Sequence, residues 1–225
     1  MSSKLWLNSF ICNVDIDYTL VPNFIILVIT LIGIYRIKYF QGYELIILFI
    51  PFLNVLMDLV AIQVRNIYKS NNICYNLLNP IEIVLTLVIY YQHIKSQHIK
   101  NLTIKAIVIF LLFTLINAFF IQGLFLQFAS YTFFLGGIVV CIYSYLIWRK
   151  EIYEDELSPN KLILWFATAN FLYYSVSVPV ISANNWLVIY SKEISFTVFI
   201  INGVNYSIWA IVIGLGILWK VQASK

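Results

Sequence analysis

Asp58 and Glu82 stand inside apolar runs, and carboxylates in that position are the groups in this sequence best placed to do chemistry. A carboxylate near the middle of a bilayer costs roughly 2.5–3.5 kcal/mol on insertion scales, so such residues are rare and are paired or used. Glu82 lies near the centre of Tyr75–Tyr91, YNLLNPIEIVLTLVIYY. Asn76, Asn79 and Thr86 fall at helical spacings from it, which makes a polar stripe and not a scattered set. Asn54 and Asp58 are one turn apart on the preceding run and share a face there. Groups of this kind can carry a proton, accept from a ligand, or serve as buried glue.

The elements that must hold them are membrane helices. Of the 225 residues 62% are hydrophobic and 11% charged, with a mean hydropathy of +0.89. Soluble domains run at roughly 45–50% apolar and about 25% charged. Seven apolar runs follow one another, at about 18–35, 42–64, 73–92, 102–121, 124–148, 162–182 and 194–219. Each approaches the roughly 17–25 residues that a spanning helix needs. The links are short, so residues 1–225 are read as one all-α membrane domain, a seven-helix bundle. Pro22, Pro51, Pro80 and Pro179 fall inside helices 1, 2, 3 and 6, where membrane helices tolerate them. Met1–Asp17 lacks the layout of a secretory signal and could lie along the membrane surface.

Basic residues set the orientation. With the N-terminus outside, the inner side holds Arg36, Lys38, Lys95, Lys100, Lys105, Arg149, Lys150, Lys161, Lys220 and Lys225, ten of the 14 Lys and Arg. The outer side holds Lys4, Arg65, Lys69 and Lys192. The sequence therefore predicts N-terminus out and C-terminus in. Glu44 then opens helix 2 within reach of water, and His93–Asn101 forms an inner loop.

Depth follows from topology. Asp58 and Asn79 each lie six residues from the outer ends of their helices, roughly 9 Å down at about 1.5 Å per residue. Asn117 lies near the outer end of helix 4, and Gln127, Ser130, Tyr131 and Thr132 fall in the outer half of helix 5. Tyr174 on helix 6 and Asn202, Asn205 and Tyr206 on helix 7 are at similar depth, with Asn170 nearer the middle. The inner halves are mostly apolar. Singly, such Asn and Tyr side chains are interhelical glue, worth about 0.6 kcal/mol on average. As a set with two carboxylates, they predict an outward-facing polar cavity of Asn54, Asp58, Asn79, Glu82, Asn170, Tyr174, Asn202, Asn205 and Tyr206.

Other chemistries lack anchors. His93 and His98 are five apart, without the i,i+4 spacing of helical zinc ligands or a nearby carboxylate, so no metal site is expected and the pair reads as a basic membrane-facing loop. Helix 7 has no Lys before Lys220 for a Schiff base, and neither GxSxG, a P-loop nor GxGxxG occurs. No cofactor and no catalytic residue is assigned, and the spread of basic residues does not point to nucleic acid. Cys12 and Cys74 fall on the same outer side, where a disulfide could pin Met1–Asp17 over the cavity. Cys141 reads as a buried, inert thiol.

Pro159, the helix with Tyr173, Tyr174 and Ser175, then Ile201, Asn202, Asn205 and the closing Gly216–Lys220 resemble a group of short seven-helix bacterial inner-membrane proteins, some thought to accompany sensor kinases. Tyr75 and Glu82 fit the same layout. The resemblance implies a sensory or accessory role in the bacterial inner membrane. The reading is then a sensor that takes a small ligand, or reads a membrane condition, in the outer cavity. Its signal would leave through the inner loops to a separate partner. The alternative is a small-solute or proton-coupled transporter with Glu82 as the proton carrier, and an intramembrane enzyme ranks third.

Overall fold

The computed structural model describes residues 17–68, 70–153, 162–183, 187 and 191–223. Among these the chain is entirely helical, with seven principal helices: α1 (Asp17–Tyr35), α2 (Tyr43–Tyr68), α3 (Asn72–His93), α4 (Gln97–Ile116), α5 (Ser130–Tyr153), α6 (Leu162–Ser182) and α7 (Lys192–Ala223). α2 to α7 are each long and apolar enough to cross a membrane, whereas α1 offers a shorter apolar stretch, Val21–Tyr35. All four expected prolines lie inside continuous helices.

Packing follows a ring. α1 meets α2 and α7, α2 meets α3, α3 meets α5, and α5 and α7 both pack along α6. α4 lies outside, against α3 and α5. Only 11% of its apolar stretch is buried, against 50% for α3, so most of α4 presents Leu, Ile and Phe outward. The ring interior is filled by Ile26, Ile47, Ile83, Leu87, Phe166 and Ile213, all fully buried. Phe24, Leu59, Ile109, Leu126 and Phe199 are each more than half exposed. An apolar surface of that kind is lipid-facing in a membrane protein and a liability in water.

The boundaries differ from expectation in two places. α4 begins at Gln97, so the loop expected over His93–Asn101 shrinks to 94–96 and His98 is helical. α5 begins at Ser130 instead of 124, which puts Gln127 in the link. The cause lies at the end of α4, where the helix widens into a π-helical turn, Asn117–Ile121. The Gln122 N–H reaches the Asn117 carbonyl at 2.9 Å, and Gly123 turns the chain at φ 73°. A positive φ suits glycine because it has no Cβ. The Asn117 amide donates to Gln122 Oε1 and Thr132 Oγ1, each at 2.9 Å, and Gln122 Nε2 donates to Ser130 Oγ at 2.9 Å. Asn76 closes the link from α3: its Nδ2 donates to the Leu124 and Gln127 carbonyls and its Oδ1 accepts from the Ala129 N–H. One member of the polar stripe is thus spent on holding a loop.

Candidate functional site

Polar side chains enter the ring in three layers along its length. Toward the end where α2 gives way to α3, Asp58 of α2 accepts from the Tyr75 hydroxyl of α3 at 3.0 Å. Two turns further in, Glu82 is 8% exposed. Its polar neighbour is Asn54 of α2, and Asp58 lies within electrostatic reach. Asn54, only 2% exposed, sets its side-chain amide beside the Glu82 carboxyl as a hydrogen-bonding neighbour. Tyr173 and Tyr174 of α6 and Tyr206 of α7 lie within the field of Glu82. No Lys or Arg with a described side chain is buried, and Arg65 of α2, exposed, lies within electrostatic reach of Tyr75.

The same layer is closed on the α6–α7 side. Asn205 Nδ2 donates to the Tyr173 carbonyl at 2.8 Å and to Ser177 Oγ at 2.9 Å. The Ser177 hydroxyl then donates to Asn202 Oδ1 at 2.7 Å. Tyr173 meets the rings of Tyr174, Tyr206 and Trp209 at centroid distances of 5.0, 5.8 and 6.3 Å, and Tyr206 stacks on Trp209 at 5.4 Å. Asn79 is half-buried on α3. Tyr174 is buried and also lines, with Cys141 and Pro179, an apolar cleft of about 260 Å³ between α5 and α6.

One layer further along, the Tyr90 hydroxyl of α3 shares a hydrogen bond with Ser144 of α5 at 2.7 Å. It also accepts from Asn170 Nδ2 of α6 at 3.2 Å, and Asn170 Oδ1 accepts from the Trp209 indole of α7 at 2.9 Å. The chain Ser144–Tyr90–Asn170–Trp209 is buried throughout and ties α3, α5, α6 and α7 together. Asn170 therefore bonds in this layer and not beside the carboxylates.

The third layer is ionic. His93 Nε2 meets Glu151 Oε1 at 2.9 Å, joining the ends of α3 and α5. Lys220 Nζ meets Glu44 Oε1 at 2.8 Å, joining the end of α7 to the start of α2. Glu44 also accepts from the Gln41 N–H at 3.2 Å. Two expectations are corrected here. His93 does have a carboxylate partner, brought from 58 residues away, and Glu44 is buried at 8% exposure instead of open to water. Glu151 is more buried still, at 2%.

Trp209 is a member of these layers that the sequence reading passed over, and Tyr75 and Tyr173, which it named only for the resemblance, stood outside the expected cavity. Tyr90 and His93 were legible in principle, since they continue the Glu82–Thr86 face of α3 by one turn and then another. No group of three or more His, Cys, Asp or Glu among the described residues could hold a metal ion. Cys74 is buried, and its pairing with Cys12 lies outside the described residues, as does the fold of Met1–Ile16.

Helices of this length and polarity, ringed around a buried polar core, are the architecture of a multi-pass membrane protein. Comparison with known protein families, with characterised proteins and with solved structures returned no match.

Proposed function

We propose that this protein is a receptor-like sensor or sensor-accessory protein of a bacterial inner membrane. It takes a small ligand between α2, α3, α6 and α7 and passes its state to a separate membrane or cytoplasmic partner. The observation that carries this is the contrast between layers. The Tyr90 and Glu44–Lys220 layers have their polar groups joined across helices, while in the Asp58–Glu82 layer two carboxyls have only Tyr75 and Asn54 as polar neighbours on α2 and α3 and no buried Lys or Arg among the described side chains. The ligand layer lies toward the outside and the ionic layer toward the cytoplasm, in keeping with the ten basic residues of that side. The partner would meet the loop at 94–96 and the ends of α5 and α7.

One observation favours proton-coupled transport as a second reading. Glu82, Thr86, Tyr90 and His93 form a file along α3 that reaches the ionic layer. Proteoliposomes loaded with a pH dye, under an imposed membrane potential, separate the two. The receptor reading expects vesicles as tight to protons as protein-free ones, and a proton flux lost in Glu82→Gln would replace it with transport. Reporter fusions check the orientation: Lys225 and the 94–96 loop should report as cytoplasmic and the link at 69–71 as external. Both loops on one side would remove the topology.

A further inference from the structure

α5 and α6 meet so closely at Gly137 that an added Cβ would strike Val178 and the Tyr174 ring, and beside that contact they part into the apolar cleft of about 260 Å³. Its floor is Cys141, half-buried, with Tyr174 and Val178, both buried. Its walls are exposed: Ile138 and Ile142 on α5, Ser175 and Pro179 on α6, each pair one helical turn apart. The gap exists because Ser175 and Pro179 are short, while the bulkier Phe171, Leu172 and Val176 stand out from α6 around them. We propose that this cleft binds one acyl chain of a bilayer phospholipid, which packs against Tyr174.

Depth and chemistry select that occupant. Ser175 and Pro179 stand seven and three residues before the α6 end at Ser182. That puts them roughly 5–10 Å below it, at about 1.5 Å per residue. The cleft therefore opens sideways into hydrocarbon, whose full depth is about 30 Å. In the orientation proposed above, the chain comes from the outer leaflet. Water would need roughly two to four polar partners. The Ser175 hydroxyl is spent on the Leu172 carbonyl at 3.0 Å, and a thiol is only a weak donor. An apolar cavity of roughly 150 Å³ already admits a benzene-sized molecule, so there is room here for a stretch of chain. A partner helix, about 10–12 Å across with its side chains, does not fit.

The floor also faces the polar network from behind. Tyr174 and Val178 alternate along α6 with Tyr173, whose carbonyl accepts from Asn205 of α7, and Ser177, which bonds Asn202 and Asn205. The Tyr174 ring lies 5.0 Å from that of Tyr173 and 5.7 Å from that of Phe133. A chain in the cleft thus supports the same turns of α6 that hold α7.

The test uses the full chain in phosphatidylcholine nanodiscs doped with a phosphatidylcholine that carries a diazirine within one acyl chain. Adducts are mapped by peptide mass spectrometry after illumination. Adducts at Ile138–Ile142 and Tyr174–Pro179 should saturate as the probe fraction rises, while those at Leu112 and Leu115 of α4, both exposed, should rise in proportion to it. Ser175→Leu, which fills the cleft with its own side chain, should cut the cleft adducts severalfold and leave α4 unchanged. In detergent, adding phospholipid back should raise the melting temperature of the parent more than that of Ser175→Leu. If Ser175→Leu fails to fold, Ile138→Phe fills the cleft from the other wall, and the comparison with α4 needs no variant. Cleft adducts that scale with probe fraction as α4 does would reduce the cleft to ordinary boundary surface and overturn the site. Equal melting gains in parent and variant overturn the support of Tyr174. Labelling by diazirine-bearing palmitic acid and not by the phospholipid overturns it in favour of a free fatty acid. A cleft free of adducts overturns it too, and cross-linked dimers would then point to a second copy.

Discussion

Asn170→Leu should destabilise the bundle by about 1–3 kcal/mol, because it strands the Trp209 indole N–H in the apolar interior. Asn170 is 1% exposed and Trp209 1%, so water cannot replace the lost acceptor without opening the helices. The Tyr90 hydroxyl fares better, since Ser144 remains at 2.7 Å. The asymmetry supplies the control. Trp209→Phe removes the donor itself, so the double variant Asn170→Leu/Trp209→Phe should recover part of what Asn170→Leu alone loses. Double-mutant cycles put the coupling of polar contacts between membrane helices at about 0.6 kcal/mol on average, which sets the scale of the recovery. Reversible unfolding in detergent micelles measures all three variants. A double variant as unstable as the sum of the singles would mean that the two side chains act independently.

How much of this was legible in the sequence depended on the range of each interaction. Helix existence was, because seven apolar runs bounded by charge leave little choice in lipid, where the backbone must satisfy itself. The face of α3 that carries Glu82 was also legible, since spacing alone fixes it. What spacing could not reveal is which neighbour meets that face. Asn76 looked like a partner of Glu82, yet it clamps a loop some 50 residues on, at Gln127 and Leu124. Glu151 and Lys220 gave no local sign of pairing with His93 and Glu44, because those contacts exist only once helix ends from distant parts of the chain converge. The start of α5 moved for a similar reason. Leu124–Gln127 is apolar enough to read as helix, and it was the Asn117–Gln122 side-chain network and the positive φ of Gly123 that kept it out.

Gly136 and Gly137, adjacent on α5, should each lose about 1–3 kcal/mol when changed to alanine, the usual cost of overpacking. They serve opposite neighbours. A Cβ on Gly136 would lie 2.3 Å from Ile83 Cδ1 and 2.8 Å from the Phe110 ring, wedging α5 from α3 and α4. A Cβ on Gly137 would lie 2.3 Å from Val178 Cγ2 and 3.0 Å from the Tyr174 ring, wedging α5 from α6. Small residues let membrane helices approach in this way, where van der Waals contact replaces the hydrophobic drive of water. The contacts also predict which second changes relieve the strain. Ile83→Val removes the Cδ1 that Gly136→Ala strikes, and Val178→Ala removes the methyl that Gly137→Ala strikes. Each pairing should recover much of its own loss and leave the other untouched. Melting temperatures of the four single variants and of the four double variants, two matched and two crossed, decide it. Rescue of Gly136→Ala by Val178→Ala would mean that α5 yields as one body, and the two faces could not then be assigned separately.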